Sequence, residues 1–257
     1  MPTWIIVGAS RGIGLEFVRQ LLARGDRVIA TLRNKARATQ LVSLADNAPK
    51  GACHLLQCDL TSETSITNFV KEIPALVQGT IDYVVLNAGV LKYPNRATEI
   101  SYGDFVYHLK TNTIGPIITA QKLLQTQIPI GTIVFMSSDS GSAQRIRLFE
   151  DGFAAYAASK CALNQMLRNM DSELKKKEVR TTILAMHPGE VETSIFNPNR
   201  DMGAEADINW EVEGVMQPEE SVLAMLKVIP SKTIEQSGTF WTWEDKVTSY
   251  TSPFTYK

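Results

Sequence analysis

The sequence predicts an α/β fold built on a doubly wound parallel sheet in a single domain covering residues 1–257. Three observations predict it. Near-continuous Val/Ile/Leu runs recur along the chain, as strands covered on both faces require. Helix-period segments lie between those runs, so strand and helix alternate. A glycine-rich turn, "VGASRGIG" at 7–14, closes the first run and opens the first helical segment.

The elements follow in order. "TWIIVG" at 3–8 is the first strand, and 13–24 has helical periodicity. "RVIATL" at 27–32 and "CHLLQCDL" at 53–60 are the next two strands, and 62–78 is helical. "DYVVLNAG" at 82–89 is a fourth strand, followed by a long helical segment over about 101–126. "GTIVFMSS" at 131–138 is a fifth strand, about 153–176 a long helix, and "RTTILAMHPG" at 180–189 a sixth strand. Residues 194–216 lack a clear period and are rich in Asn, Asp and Gly, which marks a substrate loop or lid. "SGTFWTWED" at 237–245 is a last strand. No stretch resembles a linker, a low-complexity tract or a solenoid repeat.

Bulk properties exclude several functions. With 44% hydrophobic residues over 257, the chain can bury a full core without disulfides or metal. A formal net charge of −1, with no basic run longer than Lys175–Lys177, argues against a nucleic-acid partner. Cys53, Cys58 and Cys161 form neither a disulfide framework nor a zinc template, so no metal is expected. The segment "MPTWIIVGAS" has no basic region and reaches its first glycine by residue 8, unlike a signal peptide. No apolar run is long enough for a bilayer span. The expectation is a soluble cytoplasmic protein with no membrane partner.

The chemistry gathers at predicted strand ends. Gly8, Gly12 and Gly14 allow a tight turn and a close backbone approach to a pyrophosphate, and the following helix start supplies N–H groups for the anion. This strand–turn–helix context is that of a Rossmann dinucleotide site. An acid at the end of the second strand would hold a ribose 2′-hydroxyl, whereas arginine accommodates a 2′-phosphate. Here the segment is "ATLRNKAR", with Arg33 lying 19 residues past Gly14, and Arg11 inside the turn can add a second cation. NADP(H) is therefore favoured over NAD(H). In "FAAYAASKCAL" at 153–163, Tyr156 and Lys160 share a helix face. A nearby ammonium favours the phenolate and makes the tyrosine a usable acid or base. Ser137 and Ser138, Asn87–Ala88–Gly89, Asn112 in "KTNTIGP" and "HPG" at 187–189 fall at the same sheet edge or beside it.

Taken together, the glycine turn, "CDL", "NAG", "TNT", "SS", "YAASK" and "HPG" resemble the short-chain dehydrogenase/reductase family, over residues 4 to about 193 and more loosely to the end. The "RN" after the second strand is similar to the small NADPH-dependent carbonyl reductases of the C-factor and sniffer type. The resemblance implies that Tyr156 protonates a substrate carbonyl oxygen. Lys160 lowers the tyrosine pKa and binds the nicotinamide ribose, and Ser138 orients the carbonyl. Asn112 holds a kink and a water that relays protons to Lys160. Gly8, Ser10, Arg11, Gly12, Ile13 and Gly14 cradle the cofactor phosphates. Asp59 and Leu60 contact the adenine, Asn87, Ala88 and Gly89 line the cleft, and Pro188, Gly189, Val191 and Thr193 grip the nicotinamide end.

Three departures stand out. Val7 replaces the threonine common before the first glycine, and Leu86 replaces an asparagine common in "NNAG". The interval from Ser138 to Tyr156 is 18 residues, longer than usual, with the excess in "SAQRIRLFEDGF". The resulting expectation is an NADPH-dependent reductase of an aldehyde, ketone or related group on a small, fairly apolar metabolite. Phe149, Phe153, Phe196 and Trp210 are the candidate walls. An NADP-binding sensor or scaffold and a non-redox cyclase or dehydratase on the same fold stay open. So does the assembly: a monomer, or a dimer or tetramer through the two long helices.

Overall fold

The computed structural model describes residues 1–143, 152–193 and 215–248. Most of the expected lid at 194–216, most of the long loop before Tyr156, Phe149, Phe196 and Trp210 lie outside the described residues.

The strands are β1 (Thr3–Val7), β2 (Arg27–Leu32), β3 (Cys53–Gln57), β4 (Ile81–Leu86), β5 (Ile130–Met136), β6 (Thr182–His187), β7 (Thr239–Thr242) and β8 (Val247–Thr248). They form one sheet in the order β3-β2-β1-β4-β5-β6-β7-β8. Every neighbouring pair is parallel except β7 with β8. The expected last strand is thus β7 with the turn into β8. The order reverses between β1 and β4, and open parallel sheets bind ligands beyond the strand ends at such a switch point.

The apolar runs are explained by the pleat. Successive side chains of a strand face opposite sides. Ile5 and Val7 join one core cluster with Phe69, Ile73, Leu123 and Leu167, and Trp4 and Ile6 join the other with Phe17, Leu21, Met225 and Ile229. Because helices cover both faces, neither set can be polar. Each fully buried aliphatic or aromatic side chain contributes about 1.5–3 kcal/mol relative to exposure.

The helices are α1 (Gly12–Ala23), α2 (Thr39–Asp46), α3 (Glu63–Leu76), α4 (Tyr102–Leu109), α5 (Gly115–Leu124), α6 (Ala154–Lys176) and α7 (Pro218–Ser231). α3 starts on Ser62, whose side chain accepts from Ser65 N–H. Two differences from the sequence expectation matter for the site. The long segment 101–126 is not one α-helix: a π-helical stretch, Lys110–Ile114, separates α4 from α5, and Gly115 N–H donates to the Lys110 carbonyl. The physical reason is Pro116, which has no N–H to offer the Asn112 carbonyl four residues back. Gly115 also packs so closely on the Leu60 backbone that a side chain there would collide. α2 and α7 were not foreseen. α7 packs against α1, burying Val222, Met225 and Ile229. Among the described residues no helix is long and apolar enough to cross a membrane.

Candidate active site

One cavity opens where the carboxyl ends of the strands meet the switch point. Gly8, Ser10, Arg11, Gly12 and Ile13 line it from the first turn, Arg33 from the end of β2, and Asp59 and Leu60 from the end of β3. Asn87, Ala88 and Gly89 line it after β4, Ser138 after β5, Tyr156 and Lys160 from α6, and Pro188, Gly189, Val191 and Thr193 after β6. The fold therefore brings together nearly every residue singled out from the sequence. Gly14 and Asn112 stand behind the wall.

The turn is shaped by close approach. Gly8 has φ +88°, and a Cβ there would come 2.5 Å from the Ala88 Cβ. At Gly14 a Cβ would run into the Gly8 carbonyl oxygen. The Asn87 Nδ2 donates to that same carbonyl at 2.9 Å, locking the β1 turn to the β4 turn. The hydroxyl missing at Val7 is supplied from the next strand, since Gly8 N–H donates to Thr31 Oγ1 at 3.0 Å. Arg11, in extended conformation, stands immediately before α1, so the helix start faces the cavity.

The region between the β2 and β3 ends suits a phosphate-bearing ribose. Arg33 is exposed and lines the cavity. The Asp59 carboxylate accepts from Thr61 N–H and Oγ1 at 2.9 and 2.7 Å, so it is occupied in shaping its own turn. Thr111, next to Asn112, was not foreseen as part of the wall. It lines the cavity while its buried Oγ1 has no hydrogen-bond partner. A buried hydroxyl left unsatisfied costs free energy that a bound ligand can recover. This orphaned group and the glycine cradle both fit a bound dinucleotide.

At the other end lie the tyrosine and lysine. Lys160 is 3% exposed, its Nζ donates to the Met136 carbonyl at 2.8 Å, and it sits 5.6 Å from the centre of the Tyr156 ring. Burial lowers its pKa to about 8, so it remains an ammonium at neutral pH. Phe153 packs edge-on against the Tyr156 ring at 6.3 Å between centroids, making it the one candidate aromatic wall among the described residues. The two serines diverge. Ser137 donates to Asn164 Oδ1 at 2.6 Å, buried in the structure. Ser138 starts a 3-10 turn over Asp139–Gly141 and accepts from Ser140 N–H at 3.2 Å.

Asn112 is fully buried. Its Oδ1 accepts from Val90 N–H at 2.8 Å, and its Nδ2 donates to the Val90 carbonyl and to Ser159 Oγ, each at 2.9 Å. Its carboxamide thus braces the loop after β4 and α6. Its backbone carbonyl is the one to which Pro116 has no N–H to donate.

Sequence reasoning also missed a polar trio. Ligand-type atoms of Asp139, His187 and Glu190 lie within 4.8 Å of one another, in a geometry able to hold a cation. Each of the three has other partners in the fold. "HPG" was the available signal, with Glu190 following it directly, but Asp139 joins His187 only through the pairing of β5 with β6.

Comparison with known proteins gives a consistent picture. The sequence model of the family described as short chain dehydrogenase matches residues 2–204. An uncharacterised oxidoreductase of Schizosaccharomyces pombe is 30% identical over 257 residues, covering 95% of this chain and 96% of its own. The crystal structure of an NADPH-bound carbonyl reductase from chicken fatty liver superposes with a TM-score of 0.82 at 28% identity, covering 97% of this chain and 99% of that one. The carbonyl reductase Sniffer of Drosophila melanogaster gives a TM-score of 0.79 at 25% identity, covering 97% and 99%.

Proposed function

The chain belongs to the short chain dehydrogenase family, and from that premise we propose that it is an NADPH-dependent reductase of a small, fairly apolar aldehyde or ketone. One observation carries the reading: Tyr156, Lys160 and Ser138 converge on the cavity that the glycine turn opens. A protein that only senses the nucleotide needs the turn but not this second constellation.

The residues present would hold NADPH as follows. The turn from Gly8 to Gly14 would cradle the pyrophosphate, Arg33 and Arg11 would face the 2′-phosphate, and Thr111 would offer its unpartnered hydroxyl. Lys160, Pro188, Gly189, Val191 and Thr193 would flank the nicotinamide half. When bound, NADPH supplies the hydride for the carbonyl carbon.

The chain's own residues handle the proton. Tyr156 gives its phenolic proton to the substrate oxygen as negative charge develops there. The Lys160 ammonium beside the ring stabilises the phenolate left behind. Ser138, whose hydroxyl accepts from Ser140 N–H and makes only a long 3.5 Å bond to Asp139 Oδ1, would turn its proton from that carboxylate to the same substrate oxygen. Water held at the Asn112 carbonyl can then return a proton by way of Lys160. Phe153 supplies an apolar wall beside the tyrosine.

The test is NADPH consumption, followed by its near-ultraviolet absorbance, against a panel of aldehydes, ketones, quinones and imines, with product quantified. The wild type should consume NADPH stoichiometrically with product. Tyr156→Phe should lose turnover by about 10²-fold or more while binding NADPH within a few-fold of the wild type. Undiminished turnover in Tyr156→Phe would remove the tyrosine from its role. Product without NADPH consumption would replace the reductase with a non-redox activity.

A further inference from the structure

Tyr156 lies in the first turn of α6, where backbone N–H groups have no intrahelical partner. Phe153, the residue before that helix, provides no side-chain cap. The cap comes from a residue about sixty positions earlier. Asn95 is 1% exposed, and its Oδ1 accepts from Ala155 N–H at 2.7 Å and from Tyr156 N–H at 3.2 Å. Its own N–H donates to the Gly152 carbonyl at 2.7 Å, and its Nδ2 donates to the Lys92 carbonyl.

The loop that carries Asn95 is itself held at both ends. Asn112 takes both backbone groups of Val90. Lys92 N–H donates to Nε2 of buried His108 at 3.1 Å. Val90 and Leu91, between these anchors, line the cavity. A single hydrogen-bonded bridge therefore runs from the π-helical stretch, through the loop after β4, to the turn that bears the tyrosine.

We propose that Asn95 is a positioning residue: it caps α6 from the loop after β4 and so fixes the Tyr156 phenol relative to the substrate wall at Val90–Leu91. This inference rests on the reading of Tyr156 as the proton donor. The amide is the chemically suited group. A carboxylate would accept the same two N–H bonds, but it has no donor for the Lys92 carbonyl and would bring negative charge to the turn that holds the phenol. A like charge disfavours the phenolate. Asn95→Ala therefore removes the cap, and Asn95→Asp keeps the cap while altering the field at the tyrosine. Among the described residues, Lys160 on α6 stands against the ring, His187 and Glu190 at the end of β6 line the same cavity, and Asp139 after β5 lies beside His187. Both variants leave these unchanged.

The experiment compares the wild type, Asn95→Ala and Asn95→Asp by NADPH-consumption kinetics across pH, by NADPH affinity from its fluorescence, and by thermal unfolding. Asn95→Ala should lower kcat about tenfold or more, with NADPH affinity within about threefold, because the phosphate turn is untouched. Asn95→Asp should remain folded and move the tyrosine-dependent limb of the pH profile upward. If both variants lower the melting temperature but keep the wild-type kcat and pH profile, Asn95 is a structural cap and the inference is overturned. If Asn95→Ala does not fold, Asn95→Ser, whose shorter side chain cannot span both N–H groups, takes its place: a lowered kcat with NADPH affinity kept supports the inference, and a wild-type kcat or an unmoved limb in Asn95→Asp overturns it. Absence of turnover in the wild type would count against the proposed function instead. Ionisation of Tyr156, read as difference absorbance against Tyr156→Phe in each background, then decides the positioning by the same criterion.

Discussion

Lys160 shows how a single side chain carries both structure and chemistry. It is an ammonium with almost no access to water, held by one carbonyl, Met136, at the end of β5. Burial disfavours the charged form and lowers the pKa to about 8. The charge is thus present at neutral pH and lost as pH rises through about 8, well below the range of an exposed lysine. NADPH affinity should weaken several-fold between about pH 7 and pH 9 if the ammonium binds the cofactor. The measurement belongs in Tyr156→Phe, which has no phenol at the site to confuse the titration. An affinity that stays level to about pH 10, the range of an unperturbed lysine, would mean that burial does not bring the Lys160 titration into this range when the cofactor is bound. The Tyr156–Lys160 pair was legible in the sequence because helix geometry puts residues four apart on one face. Asn95 was not legible, because its partners Ala155 and Tyr156 become neighbours only when the loop after β4 folds onto α6.

At the scale of elements, the loop after β4 and α4 share one titratable joint. His108 is fully buried, with Nδ1 at 2.8 Å from the Asp104 carbonyl and Nε2 accepting from Lys92 N–H. Both bonds require the neutral ring protonated on Nδ1. Burial holds its pKa below the ordinary value of 6.5. Between 6.5 and the lower folded value, the unfolded chain binds more protons, so stability falls as pH drops through that window. The charged neighbours are Asp104 on α4 and Lys92 in the loop, which pair with each other at 2.6 Å. Thermal unfolding of the wild type should show a melting temperature that declines on acidification below about pH 6.5. His108→Gln should flatten that decline even where it lowers stability at neutral pH. Equal slopes in the two proteins would assign the acid sensitivity elsewhere. Elements were legible where periodicity was long. α7 was overlooked although its signals are ordinary: Pro218 at the start, Glu219 and Glu220 in the first turn, and Val222, Met225, Leu226 and Ile229 at helical spacing. α2 spans only eight residues with one fully buried position, Leu41, too little for a period to show. The break between α4 and α5 did not show in the periodicity, which runs on through it; the signals were Pro116 after a glycine and the kink that the resemblance implied at Asn112.

On the scale of the whole molecule, the cavity matters because it gathers the ends of six strands, from β3 on one side of the switch point to β6 on the other. A ligand bound there ties the two halves of the sheet together and binds only the folded chain. Folded-state binding adds RT ln(1 + [L]/Kd), about 2.7 kcal/mol at one hundred times Kd. For a domain of this size each kcal/mol raises the melting temperature by roughly 2–4 °C, so saturating NADPH should raise it by roughly 5–10 °C. The sign of the cofactor preference follows from charge. Arg33 stands at the end of β2, where an acid would select NADH, and the carboxylate that does line this part of the cavity, Asp59, is engaged by Thr61. An arginine facing a 2′-phosphate contributes a charge-assisted pair that NADH cannot make. At equal concentration NADH should therefore give a smaller shift than NADPH. Arg33→Asp should bring the NADPH shift down towards the NADH value while leaving the NADH shift nearly unchanged. Equal shifts for the two nucleotides in the wild type, or an equal loss of both in Arg33→Asp, would mean that the phosphate is not read at the β2 end and that the cofactor preference must be sought elsewhere in the cavity.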